Sequence, residues 1–491
     1  MPGVHDRRTK MALLSPLDQL NSSFYLRWSL VFYAKDLEKA VASLSTGLKA
    51  VTTALPYLKA CVIYHTEISK DGTSSIAQAA ISMSYDDPDV IIREQRPANE
   101  LPNLTKMKEQ GAPAHLFSDD LYSLPTFIDT SSNESHPVFE TTYTPIEGGL
   151  ILSMCVHHGV MDGRGLATLT KLWAFFTRQN ENIPLPIDLP DPDEPFKRAI
   201  RLVTSANDTA DLGSSDVETI FQHYQNDRIL EDVIPPSTNA RSKRSSKIFE
   251  FSVDKLEYAR GLLGDTCHAT MNSILSAVIW CNVTRIRLTR RPQQPPTPYS
   301  RFFQMVDGRR RLGPEIDEPG PYLGNVVLTS AADVELDVLA ATGAFDHQQI
   351  SLMNPIIRAI GSASTRVTKQ YIGGFLEILQ QVQNPSSLGI GCMSQYGIDF
   401  ISSSWANLPL YECDFGSAFS QDCAAETNGK PAFVRYPYVD YADGNMIVLP
   451  RQRFPTGKGE IIEVYVMLAG DDLLALSEDT RFCSWLEEQC A

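Results

Sequence analysis

The chain lacks the cysteine patterns that organise small secreted domains and zinc sites. Its nine cysteines in 491 residues are scattered, odd in number and never arranged as Cys-x-x-Cys. This excludes a disulfide framework or a zinc knuckle and is typical of reduced thiols in a cytosolic protein. Apolar runs approaching the roughly 18–20 residues of a membrane-spanning helix are also missing. We therefore expect a soluble protein in the cytoplasm.

Targeting signals and excess positive charge are missing as well. The first twenty residues hold no apolar stretch of the length found in secretory signals, and the last four match no prenylation or peroxisomal address. The 43 Lys and Arg residues stand against 59 Asp and Glu, a formal net charge of −16. Such a chain repels polyanions, which argues against nucleic acid or an anionic membrane as a partner.

The length predicts two domains. Single hydrophobic cores stop growing at roughly 250–300 residues, and this chain has 491, of which 43% are hydrophobic. A proline-rich stretch over 182–195 cannot form a helix or a central strand and indicates an extended linker. We predict an N-terminal domain over 1–185, a crossover linker over 186–245 and a C-terminal domain over 246–491. The segment at about 390–415 is a candidate to pack with the N-terminal domain.

Both halves mix strand and helix patterns. Apolar runs of strand length occur at Leu150–Val156, Gly444–Leu449 and Glu460–Leu468. Apolar residues recur at helical spacing from about Gly163 to Arg178, and again from Ile274 to Val283. A terminal helix is expected over Ser477–Glu488. The pattern favours an α/β architecture.

Side chains that could take part in catalysis or metal binding are densest where the strand 150–156 ends. They lie in the run Cys155-Val-His-His-Gly-Val-Met-Asp-Gly163. Adjacent strand residues point to opposite faces, so only one of His157 and His158 can face a given cleft. No third ligand at metal-binding spacing follows, which argues against a metal site. A purely structural interpretation competes, with Asp162 as a helix N-cap and the histidines as satisfied interior groups. Cys155 is a conceivable nucleophile, but it lies within the apolar run.

The full pattern resembles a known family. His158 to Asp162 reads HxxxD, and with its flanks the run His157–Gly163 reads HHxxxDG, which resembles the signature of the acyl-CoA-dependent BAHD acyltransferases and the wider chloramphenicol-acetyltransferase-like superfamily. Asp414-Phe415-Gly416 lies late in the chain, where that family carries its DFGWG motif. Further similar segments, in family order, are Leu14–Leu20, Met271–Trp280, Val306–Leu312, Tyr322–Asn325 and Ser404-Trp405. The first and last of these resemble the fungal branch, which includes the trichothecene 3-O-acetyltransferases.

The resemblance implies a fold and a set of site residues. The fold is α/β, with two chloramphenicol-acetyltransferase-like domains, each a mixed β-sheet flanked by helices, and an active-site channel at their interface. His158 would be the general base, and Asp162 would orient the histidine loop by pairing with an arginine. Arg309 is the best partner, ahead of Arg310 and Arg311. The remaining supporting residues are Gly163, Asp414 and Gly416.

One motif departs from the family pattern. The second motif reads DFGSA, with Ser417 and Ala418 where the family usually has Trp-Gly. The family motif is structural and shapes the domain near the CoA channel, so the change is expected to alter packing without necessarily removing activity.

An acidic protein that binds CoA needs local cations for its phosphates. The densest cluster is Arg241, Lys243, Arg244 and Lys247, for which a solvated basic loop is the alternative. A rival cluster is Arg285, Arg287, Arg290 and Arg291. Thr270, Asn272 and Ser273 would form an anion-friendly helix start. Ser404 completes the candidate CoA contacts.

These observations predict a monomeric O-acyltransferase with no bound cofactor or metal. It would transfer an acyl group, with acetyl favoured, from acyl-CoA to a hydroxyl of a fungal secondary metabolite. An amine acceptor is an alternative that the sequence leaves open. One alternative is a stand-alone condensation-type domain that takes its acyl group from a carrier protein, which the DFG segment disfavours. The other is a fold repurposed to bind or cyclise a small molecule, which the intact His158, Asp162 and Gly163 disfavour.

Overall fold

The computed structural model describes residues 9–68, 75–84, 86–130, 134–178, 188–206, 224–226, 243–264, 269–290, 297–382, 385, 388–390, 398–420, 429–452 and 460–487. These residues build two main β-sheets, a five-stranded sheet in the N-terminal half and a six-stranded sheet in the C-terminal half. Both sheets mix parallel and antiparallel neighbours, and helices cover them. The predicted α/β architecture is confirmed.

The N-terminal half begins with a small sheet and continues into the larger one. Its strands are β1 (Thr9–Leu13), β2 (Tyr25–Tyr33), β3 (Cys61–Ile68), β4 (Ser75–Ser84), β5 (Ile92–Glu94), β6 (His136–Pro137), β7 (Phe139–Ile146) and β8 (Gly149–His157). Its helices are α1 (Pro16–Gln19), α2 (Leu37–Ala54), α3 (Leu104–Glu109) and α4 (Gly163–Thr177). Strands β1, β4, β3 and β6 form the small sheet in the order β1-β4-β3-β6.

The C-terminal half carries most of the helices. Its strands are β9 (Tyr224–Asn226), β10 (Arg244–Ser252), β11 (Tyr299–Asp307), β12 (Val327–Glu335), β13 (Leu388–Ile390), β14 (Phe400–Ser404), β15 (Phe433–Arg435), β16 (Asn445–Val448) and β17 (Ile461–Ala469). Its helices are α5 (Glu194–Ala206), α6 (Val253–Leu263), α7 (Met271–Arg290), α8 (Arg309–Leu312), α9 (Leu336–Ala340), α10 (His347–Leu352), α11 (Asn354–Thr365), α12 (Lys369–Gln381), α13 (Gly470–Glu478) and α14 (Thr480–Cys483).

The five-stranded sheet has the order β15-β2-β8-β7-β5 and surrounds a central strand, β8. All nine residues of β8 are buried, as expected for a continuous apolar run with both faces covered. Helices α2 and α4 pack on this sheet, and Trp173 of α4 lies against Phe139 of β7. Strand β8 therefore ends at His157 on a rigid support.

The edge strand β15 comes from the C-terminal half of the sequence. Val434 of β15 pairs with Leu30 of β2, and buried side chains from Trp405–Phe419 and from Ala432–Val439 are part of the N-terminal core. Of the segment predicted at about 390–415, the part from Trp405 to Phe415 contributes to this core, whereas Phe400–Ser404 is strand β14 in the C-terminal sheet. The packing also extends beyond the predicted segment and includes Val439.

The six-stranded sheet has the order β10-β17-β16-β14-β11-β12. One face packs on α6 and α7 through a core that includes Trp280, which lies 5.2 Å from the Phe302 ring. The predicted strands at the end of the chain and the predicted helix α4 are confirmed to within one residue at each end. The helix predicted from Ile274 to Val283 is also present, but α7 is longer, since it begins three residues earlier and ends seven residues later.

Two predicted elements differ in the structure. The linker predicted over 186–245 contains helix α5, in which Pro195 occupies the first turn, where no backbone donor is needed. Its buried residue Leu202 packs with Phe375 of α12. The predicted terminal helix Ser477–Glu488 is broken, because the Asp479 carboxylate accepts the Phe482 N–H and starts α14 afresh. None of the helices in the described part of the chain is long and apolar enough to cross a bilayer.

The start of α4 lies against a segment of the C-terminal half. A Cβ on Gly165 would overlap the carbonyl oxygen and carbonyl carbon of Leu323, whereas one on Gly163 would lie 3.6 Å from Nε1 of Trp405, an ordinary contact. The glycine that the packing requires is therefore Gly165, although the sequence pattern pointed to Gly163.

We expect Gly165→Ala to destabilise the protein and Gly163→Ala to leave its stability unchanged or slightly raised. The first substitution forces two backbones apart, at a cost of roughly 1–3 kcal/mol. The second adds a better helix former whose Cβ makes only ordinary van der Waals contacts. Midpoints of thermal unfolding measure both effects, and equal midpoints for the two variants would contradict this packing.

Candidate functional site

The residues between β8 and α4 form a loop, His158 to Asp162, held at both ends. The His158 N–H donates to the carbonyl of Phe24 (3.0 Å), and the Asp162 carboxylate caps α4 by accepting the Gly165 N–H (2.9 Å). The N-cap role considered from the sequence is therefore present. It coexists with a second role for the same carboxylate.

His157 points into the domain. It is fully buried, with Nε2 3.0 Å from the Tyr64 hydroxyl and Nδ1 3.2 Å from the Gly159 N–H. Burial lowers the pKa of His157 to about 3, so this imidazole is neutral and serves the packing.

His158 is half-buried beside Phe24, with ring centroids 4.7 Å apart, and its Nδ1 lies 3.1 Å from Oδ1 of Asn325. Burial lowers the pKa of His158 below its ordinary value, and its own carbonyl group, Asp162, Asn325 and Asp18 offset only part of this effect. A neutral imidazole held by one nitrogen can accept a proton on the other.

Asp162 and Arg309 meet across the two halves. Arg309 Nη1 lies 2.8 Å from Oδ2, Nη2 donates to Oδ1 (3.0 Å), and both side chains are 1% exposed. Burial opposes the charge of Arg309, but Asp162 and Asp307 raise its pKa overall. Arg310 and Arg311 are exposed. The structure thus selects Arg309 among the three consecutive arginines.

Arg309 also holds the segment that precedes β12. It donates to the carbonyl oxygens of Tyr322 (3.1 Å) and Gly324 (2.5 Å). The Val326 N–H in turn donates to Asp162 (3.3 Å). This segment carries Asn325, so the ion pair fixes the neighbour of His158 as well as its loop.

A second buried charge cluster lies behind the loop, and the sequence analysis gave its members no role. Arg198 of α5 lies 3.2 Å from Asp18 of α1, pairs with Glu194, and donates to the carbonyl of Val160 (2.6 Å). The one available signal was Asp18 itself, the charged residue of the segment Leu14–Leu20 that resembles the family.

The second motif lies far from His158. Asp414 pairs with Arg178 at the end of α4 (2.8 Å), whereas Asp162 caps the start of that helix, about 24 Å away at 1.5 Å per residue. Gly416 has a φ of +93°, which favours glycine. Phe415 and Phe419 are buried beside Phe32, so the motif anchors the C-terminal segment to the N-terminal core.

The candidate CoA contacts are not brought together. Lys243, Arg244 and Lys247 are exposed at the start of β10, while Ser404 ends β14, three strand spacings or about 14 Å across the sheet. The Ser273 hydroxyl lies at the start of α7, where it accepts the Thr270 N–H and donates to the Thr270 carbonyl, both at 2.9 Å. Arg241 lies outside the described residues.

The rival basic cluster is neutralised by acids. Arg285 pairs with Asp479, and Arg287 and Arg290 both pair with Asp472. Arg291 lies outside the described part of the chain. These arginines hold the C-terminal domain together, which disfavours a role in phosphate binding.

Two other chemistries find little support at the site. Burial raises the pKa of the Cys155 thiol to about 12, so it is not a thiolate near neutral pH. Within the ranges described, no group of three His, Cys, Asp or Glu side chains could hold a metal ion.

The sequence was compared with protein families and with characterised proteins. A model of the Transferase family matches residues 99–483. The chain is 61% identical over 486 residues to the trichothecene 8-O-acetyltransferase of Fusarium sporotrichioides. The aligned residues cover 98% of this chain and 99% of the relative. It is 22% identical over 487 residues to the trichothecene 3-O-acetyltransferase TRI101 of the same fungus, covering 94% and 93%.

A solved structure matches the fold. The crystal structure of F. sporotrichioides TRI101 complexed with coenzyme A and T-2 has a TM-score of 0.74 and 20% identity, covering 97% of this chain and 99% of that chain. At this identity the likeness shows the two-domain fold.

We expect Asp162→Asn to lower stability by about 3 kcal/mol, because it leaves the buried Arg309 charge poorly compensated. Asp307→Asn is the matched control, since Asp307 also pairs with Arg309 but is 40% exposed. Its loss should cost below about 1 kcal/mol. Thermal and urea unfolding measure both, and an Asp162→Asn protein as stable as the wild type would contradict the structural role.

Proposed function

Because the chain belongs to the Transferase family and is an acyl-CoA-dependent O-acyltransferase, we propose that it transfers an acetyl group to the hydroxyl at position 8 of a trichothecene. The observation that carries this proposal is the 61% identity to the 8-O-acetyltransferase over 98% of the chain. The identity to the 3-O-acetyltransferase is only 22%, which favours position 8 over position 3.

In the proposed reaction His158 is the general base. The acceptor oxygen attacks the carbonyl carbon of the thioester while Nε2 of His158 takes the hydroxyl proton, and a C–O bond forms. The tetrahedral intermediate then collapses, the C–S bond breaks, and the proton passes from Nε2 to the departing sulfur. CoA leaves as the free thiol, and the imidazole is neutral again.

The side chains around the base fit direct transfer without an acyl-enzyme. The lowered pKa of His158 keeps it neutral and able to accept a proton near pH 7. Asp162 has both oxygens occupied by Arg309 and by the N–H groups of Gly165 and Val326, so its role is to hold the loop. The high pKa of Cys155 leaves no thiolate to carry an acyl group.

Acyl-CoA is the co-substrate, and the proposal assigns its phosphates to the exposed cations Lys243, Arg244 and Lys247 at the start of β10. In a chain with net charge −16, such a local cluster is what an anionic co-substrate requires. We propose further that the enzyme acts as a monomer in the cytoplasm, as expected from its sequence.

We expect the purified protein to release thiol from free acetyl-CoA in the presence of a trichothecene with a free 8-hydroxyl, and to add one acetyl group to it. His158→Ala should lower kcat by about 10²–10⁴-fold, the usual contribution of a positioned base. The exposed His115 offers a matched control, His115→Ala, which should keep the rate. Thiol release and mass spectrometry measure both products.

Three outcomes would contradict parts of the proposal. An undiminished rate in His158→Ala would contradict the role of His158 as the general base. Acetylation of a trichothecene whose 8-hydroxyl is blocked would move the reaction to another position. A requirement for a carrier-bound acyl donor in place of free acetyl-CoA would favour a condensation-type reaction.

The pH dependence of kcat/KM should reflect the lowered pKa of His158. The protonated imidazole cannot accept a proton, so the rate falls only as pH drops through the pKa of this group. Because that pKa lies below 6.5, the midpoint of the acidic limb of kcat/KM should lie below pH 6.5. Stopped-time assays between pH 4.5 and 9 test this, and an acidic limb centred at or above 6.5 would contradict it.

A further inference from the structure

An array of side chains behind His158 has no part in the transfer described above. Oδ1 of Asn325 lies 3.1 Å from Nδ1 of His158. Nδ2 of the same amide donates to Oδ1 of Asp18 (2.8 Å) and to the carbonyl oxygen of His158 (2.7 Å). Asn325 and Asp18 are both 0% exposed. The array joins helix α1, the segment before β12 and the loop that carries the base.

The surroundings of Asp18 show that it is an acceptor. Its oxygens receive the backbone N–H of Asn325 (2.7 Å), the Asn325 amide, the Ser15 hydroxyl (2.7 Å) and Nη1 of Arg198 (3.2 Å). Donors converge on both oxygens, one of them the guanidinium of Arg198, which is the environment of an ionised carboxylate.

These neighbours determine the orientation of the Asn325 amide. The Asp18 carboxylate and the His158 carbonyl oxygen both accept hydrogen bonds and have no proton to donate. Turning the amide round would place its oxygen against two acceptors in a fully buried site, at the cost of two hydrogen bonds. The NH₂ group therefore faces Asp18, and Oδ1 faces His158.

An amide oxygen only accepts, so the proton between Asn325 and His158 belongs to Nδ1 of the imidazole. A neutral imidazole carries one proton, which leaves Nε2 with its lone pair. We propose that Asn325, oriented by Asp18, is a positioning residue that fixes His158 as the Nδ1–H tautomer and so makes Nε2 the base. The catalytic part of this inference rests on the proposed function, whereas the tautomer does not.

Helix α5 makes the array rigid. Arg198 holds Asp18 on one side and is itself held by Glu194, whose side chain is buried. The same guanidinium donates to the carbonyl of Val160, two residues after His158. One arginine thus supports both the residue that orients Asn325 and the loop that carries the imidazole.

The test is ¹⁵N NMR of the whole protein with ¹⁵N-labelled histidine, at a pH where His158 is neutral. His158→Gln identifies the His158 signals by their loss. We expect a protonated Nδ1 and an unprotonated Nε2 in the wild type, and loss of this preference in Asn325→Ala. A wild-type His158 with its proton on Nε2 would overturn the proposal without reference to any variant of Asn325.

Kinetics give a second readout. Asn325→Ala should lower kcat by about 10²-fold or more, because the base is no longer aimed, while KM for acetyl-CoA changes by less than about threefold. Asn282→Ala is the matched control, since Asn282 is equally buried in α7 and donates to two carbonyl oxygens at 2.9 and 3.0 Å. It reports the effect of losing a buried amide away from the site.

The outcomes separate this inference from the proposed function. A wild-type protein that transfers no acetyl group but carries the His158 proton on Nδ1 would contradict the proposed function and support the inferred role of Asn325. An Asn325→Ala protein whose kcat falls no further than that of Asn282→Ala, or whose His158 keeps the Nδ1–H tautomer, would overturn the array and leave the transfer intact.

Discussion

The buried ion pair between Asp162 and Arg309 is the interaction on which the site depends. Asp162 belongs to the loop after β8 and Arg309 to the helix after β11, so the pair joins the two halves of the chain. Each side chain is 1% exposed, and separating them would leave two buried charges without compensation. Removing one partner of such a pair costs about 3–5 kcal/mol, which is a large fraction of the stability of an ordinary domain.

The consequences of this pair extend beyond its own contacts. Arg309 also binds the carbonyl oxygens of Tyr322 and Gly324, so the segment that carries Asn325 is fixed relative to the loop. Gly165 permits the same segment to approach the first turn of α4. His158 and the side chain that faces its Nδ1 thus come from different halves, and one guanidinium holds both in place.

Local pattern was sufficient to predict the elements that carry the loop. The apolar run of β8 and the helical spacing of α4 depend on neighbours within a few residues, and so did the expectation that only one histidine faces the cleft. The family motif supplied Arg309. Helix α5 was missed because its first turn lies at the end of a proline-rich stretch. The terminal helix was predicted as one continuous helix, whereas Asp479 acts as an N-cap and divides it.

The array at Asn325 could not be found in this way. Asp18 and Asn325 are 307 residues apart, and Asp18 and Arg198 are 180 apart, so no local pattern connects them. Ser273 illustrates a different difficulty. A serine at a helix start can cap the helix or contact a ligand, and the sequence alone does not distinguish these two roles. Its hydroxyl is committed to Thr270.

The charges around His158 suit a base that becomes a cation only briefly. Among the fully buried groups behind the loop, Asp18, Asp162 and Glu194 carry three negative charges, and Arg198 and Arg309 carry two positive ones. Burial lowers the pKa of His158, whereas Asp162 and Asp18 raise it, and burial is the larger effect. The resting imidazole is therefore neutral and available. When it takes the proton of an alcohol in the proposed reaction, the excess negative charge stabilises the cation at close range in a site of low dielectric. Since these groups are already in place, the stabilisation needs no rearrangement during the reaction.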